Sequence, residues 1–205
     1  KFYYPVGDKE SPWKVVGDAN SVKMSKENPF VGEYTPEVCV TGDGTTCGII
    51  QGELGLVKGK EYTGRIILSG DKSVKVSVSL VWGQGDSSRQ VIVIDKLSPK
   101  YATTQLRFKS GGDSNNGRLV IVGSGKGTFR IGTVSLMPAD NIKGMRADTI
   151  KLLKELNSPI YRWPGGNFAS GYDWRDGIGE RDKRPPRRNP AWSGLEHNDF
   201  GLDEY

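Results

Sequence analysis

The chain has 205 residues, of which 35% are hydrophobic and 26% are charged, with a formal net charge of +5. This balance is typical of a folded globular protein and argues against a disordered or membrane-embedded chain. No apolar run approaches the ~20 residues that a transmembrane helix needs. We therefore expect one or two globular domains and no membrane partner.

The basic residues concentrate in one stretch, residues 181–188, where Asp182 and Pro185-Pro186 interrupt a series of arginines and one lysine. This stretch lacks the pattern of a DNA-binding helix, a zinc finger or an aromatic-rich RNA-binding sheet. A solvated or internally paired loop is therefore predicted, and no nucleic-acid partner is expected.

Two cysteines, Cys39 and Cys47, bracket a segment that contains the strong turn dipeptide Asp43-Gly44. They could face each other across a hairpin and form a disulfide, or remain two free buried thiols, and the pattern leaves both open. With a single histidine, His197, and no metal-ligand spacing, no metal or cofactor is expected. A loop role is favoured for His197 over general-base catalysis, because no Ser or Cys nucleophile motif accompanies it.

Residues 1–138 are predicted to form an antiparallel jelly-roll or β-sandwich domain. From Val74 to Leu80, aliphatic residues alternate with Lys and Ser, which is the period of a half-buried strand. Glycine-rich segments, including residues 110–117 and 123–127, are predicted turns. Many short strands without a helical period favour a sandwich. The other predicted strands are Glu61 to Leu68, Gln90 to Asp95, Thr103 to Phe108, Arg118 to Val122 and Thr128 to Leu136.

Residues 139–205 change to the pattern of an α/β unit. Asp140-Asn141 can cap a helix that ends at Asn157-Ser158-Pro159. A short buried strand is predicted at Ile160 to Trp163, and Pro164-Gly165-Gly166 stops it. The aromatic-rich loop that follows is too long for a simple connection, which indicates a functional segment.

Several motifs follow one another in this segment: Tyr161-Arg-Trp-Pro-Gly-Gly-Asn-Phe168, Gly171-Tyr-Asp-Trp-Arg-Asp-Gly-Ile-Gly179, Arg184-Pro185 and Asn198-Asp-Phe-Gly-Leu-Asp-Glu204. The series resembles glycoside hydrolase family 51, the α-L-arabinofuranosidases, which have a (β/α)8 barrel and a retaining mechanism. The residues before it resemble, more weakly, the carbohydrate-binding-module-like jelly roll inserted near the start of the barrel in one branch of that family. The expected fold is thus mainly β, a sandwich followed by an incomplete piece of a (β/α)8 barrel.

The resemblance implies that Arg162 and Asn167 hydrogen-bond the arabinofuranosyl unit in the −1 subsite. Their chemistry agrees, because the glycines between them let a ligand approach and the amide can both donate to and accept from sugar hydroxyls. Trp174 is the candidate aromatic platform, while Asn198 and Glu204 are expected to support the site. The alternatives are an ion pair for Arg162, a turn residue bonded to its own backbone for Asn167, and plain packing for Trp174.

No catalytic residue is expected within this chain. A retaining glycosidase needs two carboxyl groups about 5–5.5 Å apart, and the resemblance implies a glutamate pair beyond Tyr205 and a first barrel strand before Lys1. We therefore expect a truncated chain, or one chain of a cleaved protein, belonging to a secreted enzyme. Its expected partners are arabinose-containing plant polysaccharides or oligosaccharides and the remainder of the barrel.

Two other functions are compatible with the sequence. The first is a stand-alone, non-catalytic carbohydrate-binding module, in which a sugar platform would come from Trp13, Tyr34, Trp82 or Tyr101. The second is a purely structural sandwich that orients the barrel. Core packing is favoured over sugar binding for each of the four aromatic residues. The sequence does not distinguish arabinan from arabinoxylan as the substrate.

Overall fold

The computed structural model describes residues 1–205, which divide into two units. The first unit is Phe2–Ala139, and the second is Asp140–Tyr205 together with Lys1. None of the helices has both the length and the apolar character needed to cross a membrane.

Nine antiparallel strands build the first unit, which confirms the predicted mainly β fold. The four predicted strands between Glu61 and Phe108 begin and end within two residues of the predicted positions, whereas the two predicted strands between Arg118 and Leu136 form one continuous strand and the first four strands were not predicted. They are β1 (Trp13–Val16), β2 (Val22–Ser25), β3 (Thr35–Thr41), β4 (Cys47–Leu56), β5 (Glu61–Gly70), β6 (Val74–Val81), β7 (Arg89–Ile94), β8 (Ala102–Lys109) and β9 (Ser114–Pro138).

The core lies between two groups of strands. One group is formed by β1, β4, β6 and β7 with the first part of β9, and the other by β2, β3, β5 and β8 with the second part of β9. The alternation predicted in β6 is confirmed, because its four aliphatic core residues are fully buried. Each such side chain stabilises the fold by about 1.5–3 kcal/mol. The largest fully buried side chains are Phe129, Ile49, Ile66, Leu80, Leu106, Ile121, Ile131, Val38, Val40, Val74, Val76 and Val78.

Strand β9 passes from one group to the other without a turn. The predicted turn at residues 123–127 is therefore wrong, and the strand also includes the last part of the predicted turn at 110–117. The glycines are required here for steric and conformational reasons. A Cβ on Gly123 would collide with the Phe129 ring, and Gly125 has a φ of +97°, which favours glycine. Because glycine tolerates both conditions, these residues bend a continuous strand instead of reversing it.

Cys39 and Cys47 are free thiols, the first exposed and the second buried. Of the two alternatives left open, the disulfide is not formed, and of the two free thiols only Cys47 is buried. Strand β9 lies between β3 and β4, so that Cys39 is opposite Thr128 and Cys47 is opposite Gly123. Strands β3 and β4, which carry the two cysteines, each pair with β9 and not with each other.

The four aromatic residues considered as a sugar platform make contacts within the first unit. Trp13 is buried in the core, and the Trp82 ring packs against two glycines. Tyr101 packs edge-on against Phe30 at 5.2 Å between ring centroids, and Tyr34 lies beneath a lysine ammonium group. The packing role favoured from the sequence agrees with these contacts.

The second unit begins with a turn followed by helix α1 (Ala147–Leu156). The prediction that Asp140-Asn141 caps the helix is wrong, because the Asn141 side chain accepts a hydrogen bond from the Gly144 amide at 2.9 Å and closes a separate turn. Arg146 occupies the N-cap position instead. The predicted end is correct: Asn157 terminates the helix in the left-handed conformation, with a φ of +47°.

The predicted strand at residues 160–163 is not formed. A strand requires a neighbour for its backbone N–H and C=O groups, and no barrel strand lies beside this segment. Consistent with an incomplete barrel, Leu156 is 69% exposed and Ile160 is 78% exposed. The remaining elements are a short helix α2 (Phe168–Gly171), 3-10 turns at Trp174–Gly177 and Arg181–Lys183, and a two-stranded hairpin of β10 (Arg187–Arg188) and β11 (Leu195–Glu196).

Candidate functional site

A tight turn separates Arg162 from Asn167. Gly165 and Gly166 have φ angles of +65° and +62°, in the left-handed region that favours glycine, and the Trp163–Pro164 peptide bond is cis. The Arg162 guanidinium lies over this turn, with Nε 3.5 Å from the position that a Cβ on Gly165 would take. The glycines therefore leave room beside the guanidinium that a larger residue would occupy.

The side chains of Arg162 and Asn167 are exposed and without partners. Arg162 forms no ion pair, and the Asn167 amide makes no hydrogen bond with its own backbone as a cap. The alternatives considered for these two residues, a structural ion pair and a backbone-bonded turn, are thus not formed. Five donors of the guanidinium and both functions of the amide are available to a ligand.

An aromatic cluster packs around Trp163 and Phe168, which lie at the two ends of this turn. The Trp163 ring packs edge-on against Tyr172 at 5.5 Å and Phe200 at 6.2 Å, and it stacks on Tyr205 at 6.4 Å between centroids. Phe168 stacks on Tyr172 at 4.7 Å. Such pairs contribute about 0.5–1.5 kcal/mol each beyond their buried area, so the cluster fixes the two ends of the turn.

Arg184 is the central polar residue of the second unit, and the sequence interpretation did not select it. Its side chain is only 2% exposed, and the guanidinium contacts Glu204 Oε2 at 2.6 Å and Asp203 Oδ2 at 3.2 Å. It also donates to the carbonyl oxygens of Gly179 at 2.8 and 3.1 Å and of Asn198 at 3.3 Å. The Arg184-Pro185 motif was the only sequence feature that could have identified this residue. The charged residues around it instead favoured the prediction of a solvated loop.

Glu204 and Asn198, the predicted supporting residues, both belong to this arrangement. Burial alone would raise the pKa of Glu204, but hydrogen bonds from Arg184, Arg181 and the Gly201 amide outweigh it and lower the pKa to about 2. Asn198 is completely buried. Neither residue is exposed to a ligand, so the structure places them beneath the candidate site and not at its surface.

The stability of the second unit should depend on pH through Glu204. Its pKa falls from 4.5 to about 2 on folding, so the stabilisation is fully present above pH 4.5 and is lost as the pH falls toward 2. We expect Glu204→Gln to be less stable than the parent at neutral pH and this difference to shrink between pH 4.5 and 2. Urea unfolding followed by tryptophan fluorescence over that range measures it. A difference that does not change with pH would contradict the assignment.

Two tryptophans of the second unit expose their rings. Trp174 lies on a 3-10 turn and is 56% exposed. Trp192, which the sequence interpretation did not select, is 63% exposed at the tip of the β10–β11 hairpin. Asn189 Oδ1 rigidifies that tip by accepting from the backbone amides of Ala191 and Trp192 at 2.9 and 2.8 Å.

Ion pairs hold the basic stretch against the rest of the second unit. Arg187 contacts Asp176 at 2.9 Å, which ties the hairpin to the 3-10 turn that carries Trp174. The Lys1 ammonium contacts Asp199 at 2.9 Å and donates to the carbonyl oxygen of His197 at 2.8 Å. His197 itself lies in a loop, and partial burial lowers its pKa.

Three carboxylates of the second unit are paired with arginines. Glu204 is bonded to Arg184, Asp176 to Arg187, and Asp173 to Arg175, whose hydrogen bond lowers the pKa of Asp173. A glycosidase acid needs a raised pKa, so lowered values do not fit that role. The exposed donors and aromatic faces of this unit are suited to binding a hydroxylated ligand.

The second unit is similar in sequence to known arabinofuranosidases. Residues 152–205 match the family model described as the alpha-L-arabinofuranosidase 1 domain. A stretch of 68 residues is 50% identical to a probable alpha-L-arabinofuranosidase C of Aspergillus terreus. A stretch of 67 residues is 52% identical to an exo-alpha-(1->6)-L-arabinofuranosidase of Bifidobacterium longum. Each stretch is 33% of this chain, which spans only 14% and 13% of the length of these relatives.

Solved structures share the fold. An arabinose-bound family 51 α-L-arabinofuranosidase superposes on 99% of this chain with a TM-score of 0.78 and 18% sequence identity, and the match covers 36% of that protein. The C-terminal family 22 carbohydrate-binding module of Clostridium thermocellum Xyn10B matches 69% of this chain and 95% of its own length, with a TM-score of 0.51 and 16% identity. At these identities the likeness concerns the fold alone. The sequence match of residues 152–205 supports the predicted resemblance to the α-L-arabinofuranosidases of glycoside hydrolase family 51, and the shared fold agrees with it.

Proposed function

We propose that the complete protein containing this chain is a retaining α-L-arabinofuranosidase, which hydrolyses terminal non-reducing α-L-arabinofuranosyl residues. The observation that carries the proposal is the turn between Arg162 and Asn167. It lies within the segment that matches the arabinofuranosidase domain, and its two polar side chains are exposed and unpaired. A guanidinium and an amide so placed can hold several sugar oxygens at once.

The residues of this chain would bind and orient the sugar. Arg162 would donate two hydrogen bonds from one rigid plane, and Asn167 would both donate to and accept from neighbouring hydroxyl groups. Trp174 and Trp192 would provide apolar faces for a sugar ring or for the polymer that carries it. Fixing the ring in this way keeps the anomeric carbon in line with the attacking group, which is a large part of catalytic rate enhancement.

The reacting carboxyl groups would come from outside this chain. One carboxylate attacks the anomeric carbon and forms a covalent glycosyl-enzyme, while the other protonates the leaving oxygen and then activates the water that releases arabinose. Asp173 and Glu204 support this division, because hydrogen bonds from arginines lower the pKa of each carboxylate.

The proposal is tested with 4-nitrophenyl α-L-arabinofuranoside. We expect the complete protein to release nitrophenol and the isolated 205-residue chain to show no turnover, because one helix and one unpaired strand segment cannot close a barrel. The corresponding β-D-xylopyranoside is the specificity control. The isolated chain could instead show turnover that is lost on mutating a carboxylate between residues 173 and 204. That result would place the catalytic pair in the loop and overturn the proposal that the reacting carboxyl groups come from outside this chain.

The natural substrates would be plant polysaccharides or oligosaccharides that carry arabinofuranosyl groups, such as arabinan or arabinoxylan. Polymers of this size do not enter cells, so we expect the enzyme to act outside the cell. For the first unit, we propose a structural role, because the aromatic rings that could contact a sugar are packed within the unit.

A further inference from the structure

Arg184 and its hydrogen-bonding partners form a buried polar cluster, called here the buried frame, in the same unit as the Arg162–Asn167 turn. Arg184 joins the segment around Gly179 to the segment from Asn198 to Glu204 through six hydrogen bonds. Breaking such a buried charge pair is costly, because the remaining charge would be left without a partner. This part of the loop is therefore a rigid support.

Asn198 extends the frame toward the turn. Its side chain donates to the Pro185 carbonyl oxygen at 2.7 Å and accepts from the Tyr172 hydroxyl at 2.9 Å. The residue adopts a φ of +56°, a left-handed conformation that asparagine tolerates better than most residues. Both ends of the amide are thus committed, which fixes the position of the Tyr172 hydroxyl.

The Tyr172 ring contacts the two residues that bracket the turn. Trp163, which follows Arg162, packs edge-on against it, and Phe168, which follows Asn167, stacks on its face. Gly177 leaves the space for the hydroxyl, since a Cβ there would lie 2.5 Å from the Tyr172 oxygen. One side chain therefore connects the buried frame to both ends of the turn.

We infer that Tyr172, held at its hydroxyl by Asn198, is a positioning residue that orders the Arg162–Asn167 turn for sugar binding. The inference rests on the proposed function for the role of that turn. It deepens the proposal by assigning a task to a residue whose hydroxyl is bonded to Asn198. Burial raises the pKa of Tyr172, which keeps the hydroxyl protonated and able to donate to Asn198.

The first test measures order directly in the 205-residue chain. Tyr172→Phe removes only the hydroxyl, and Gly177→Ala displaces it without changing the ring. In both variants we expect hydrogen exchange at the Ala169 and Ser170 amides, which donate to the carbonyl oxygens of Gly166 and Asn167, to accelerate by about fivefold, as for the loss of one hydrogen bond. Tyr101→Phe is the matched control, because its ring also packs edge-on and its hydroxyl donates to a carbonyl oxygen in the first unit.

The second test uses the complete protein. In the same two variants, assayed well below the Tm of each, we expect the inhibition constant of L-arabinose to rise about fivefold and kcat/KM to fall by a similar factor. Unchanged exchange in both variants would overturn the inference. Faster exchange with unchanged arabinose binding and kcat/KM would also overturn it, while leaving the proposed function intact. A parent protein that does not cleave arabinofuranosides would instead defeat the proposed function, and the exchange result would still decide whether Tyr172 orders the turn.

Discussion

Replacing Arg162 with alanine in the complete protein should lower kcat/KM for an aryl arabinofuranoside by about 10- to 100-fold. The guanidinium is exposed and unpaired in this chain, so its hydrogen bonds are available for the sugar. Loss of a partner leaves buried polar groups of a bound ligand unsatisfied, at about 1–3 kcal/mol per group. Each ~1.4 kcal/mol corresponds to one factor of ten in kcat/KM. Asn167→Ala should act in the same direction with a smaller effect.

The control for Arg162→Ala is Arg188→Ala, which removes another exposed arginine without a side-chain partner from the same unit. We expect normal kinetics for this variant and an unchanged Tm for both. Near-normal kcat/KM in the Arg162 and Asn167 variants would show that the turn does not bind the sugar. Activity that falls only in proportion to a lower Tm would assign Arg162 a structural role instead.

Replacing Arg184 with methionine should destabilise the second unit by about 3–5 kcal/mol, the range for breaking a buried ion pair on one side. The substitution keeps much of the side-chain volume but leaves the Glu204 carboxylate, whose side chain is 9% exposed, without its strongest partner. Urea unfolding of the 205-residue chain gives the total effect. Hydrogen exchange in residues 177–204 shows whether the loss lies in this unit.

Arg175→Met is the comparison for Arg184→Met. Arg175 also forms a bidentate pair, with Asp173, but its side chain is 72% exposed. A surface pair contributes about 0–1 kcal/mol, so a small change is expected. Similar losses in the two variants would mean that the buried Arg184 arrangement does not hold the loop together.

Local patterns in the sequence were sufficient for much of the first unit. The alternation in β6 specifies which residues face the core, because side chains in a strand alternate between its two faces. The same patterns failed at Gly123 and Gly125, since a glycine-rich run is compatible both with a turn and with a bent strand. Only the pairing of β9 with β3, β4, β5 and β6 distinguishes the bent strand from the turn.

The sequence by itself indicated the resemblance to family 51 and suggested the candidate binding residues, because the Arg162–Asn167 turn depends on local features: a proline, two glycines and their immediate neighbours. Tertiary structure alone decided the roles of Arg184, Asn198 and Tyr172, whose partners lie between 5 and 26 residues away. It also decided that residues 160–163 form no strand and that the two cysteines do not meet. In each of these cases the outcome depends on a partner from a distant part of the chain, or on the lack of one, and such pairing leaves no local pattern in the sequence.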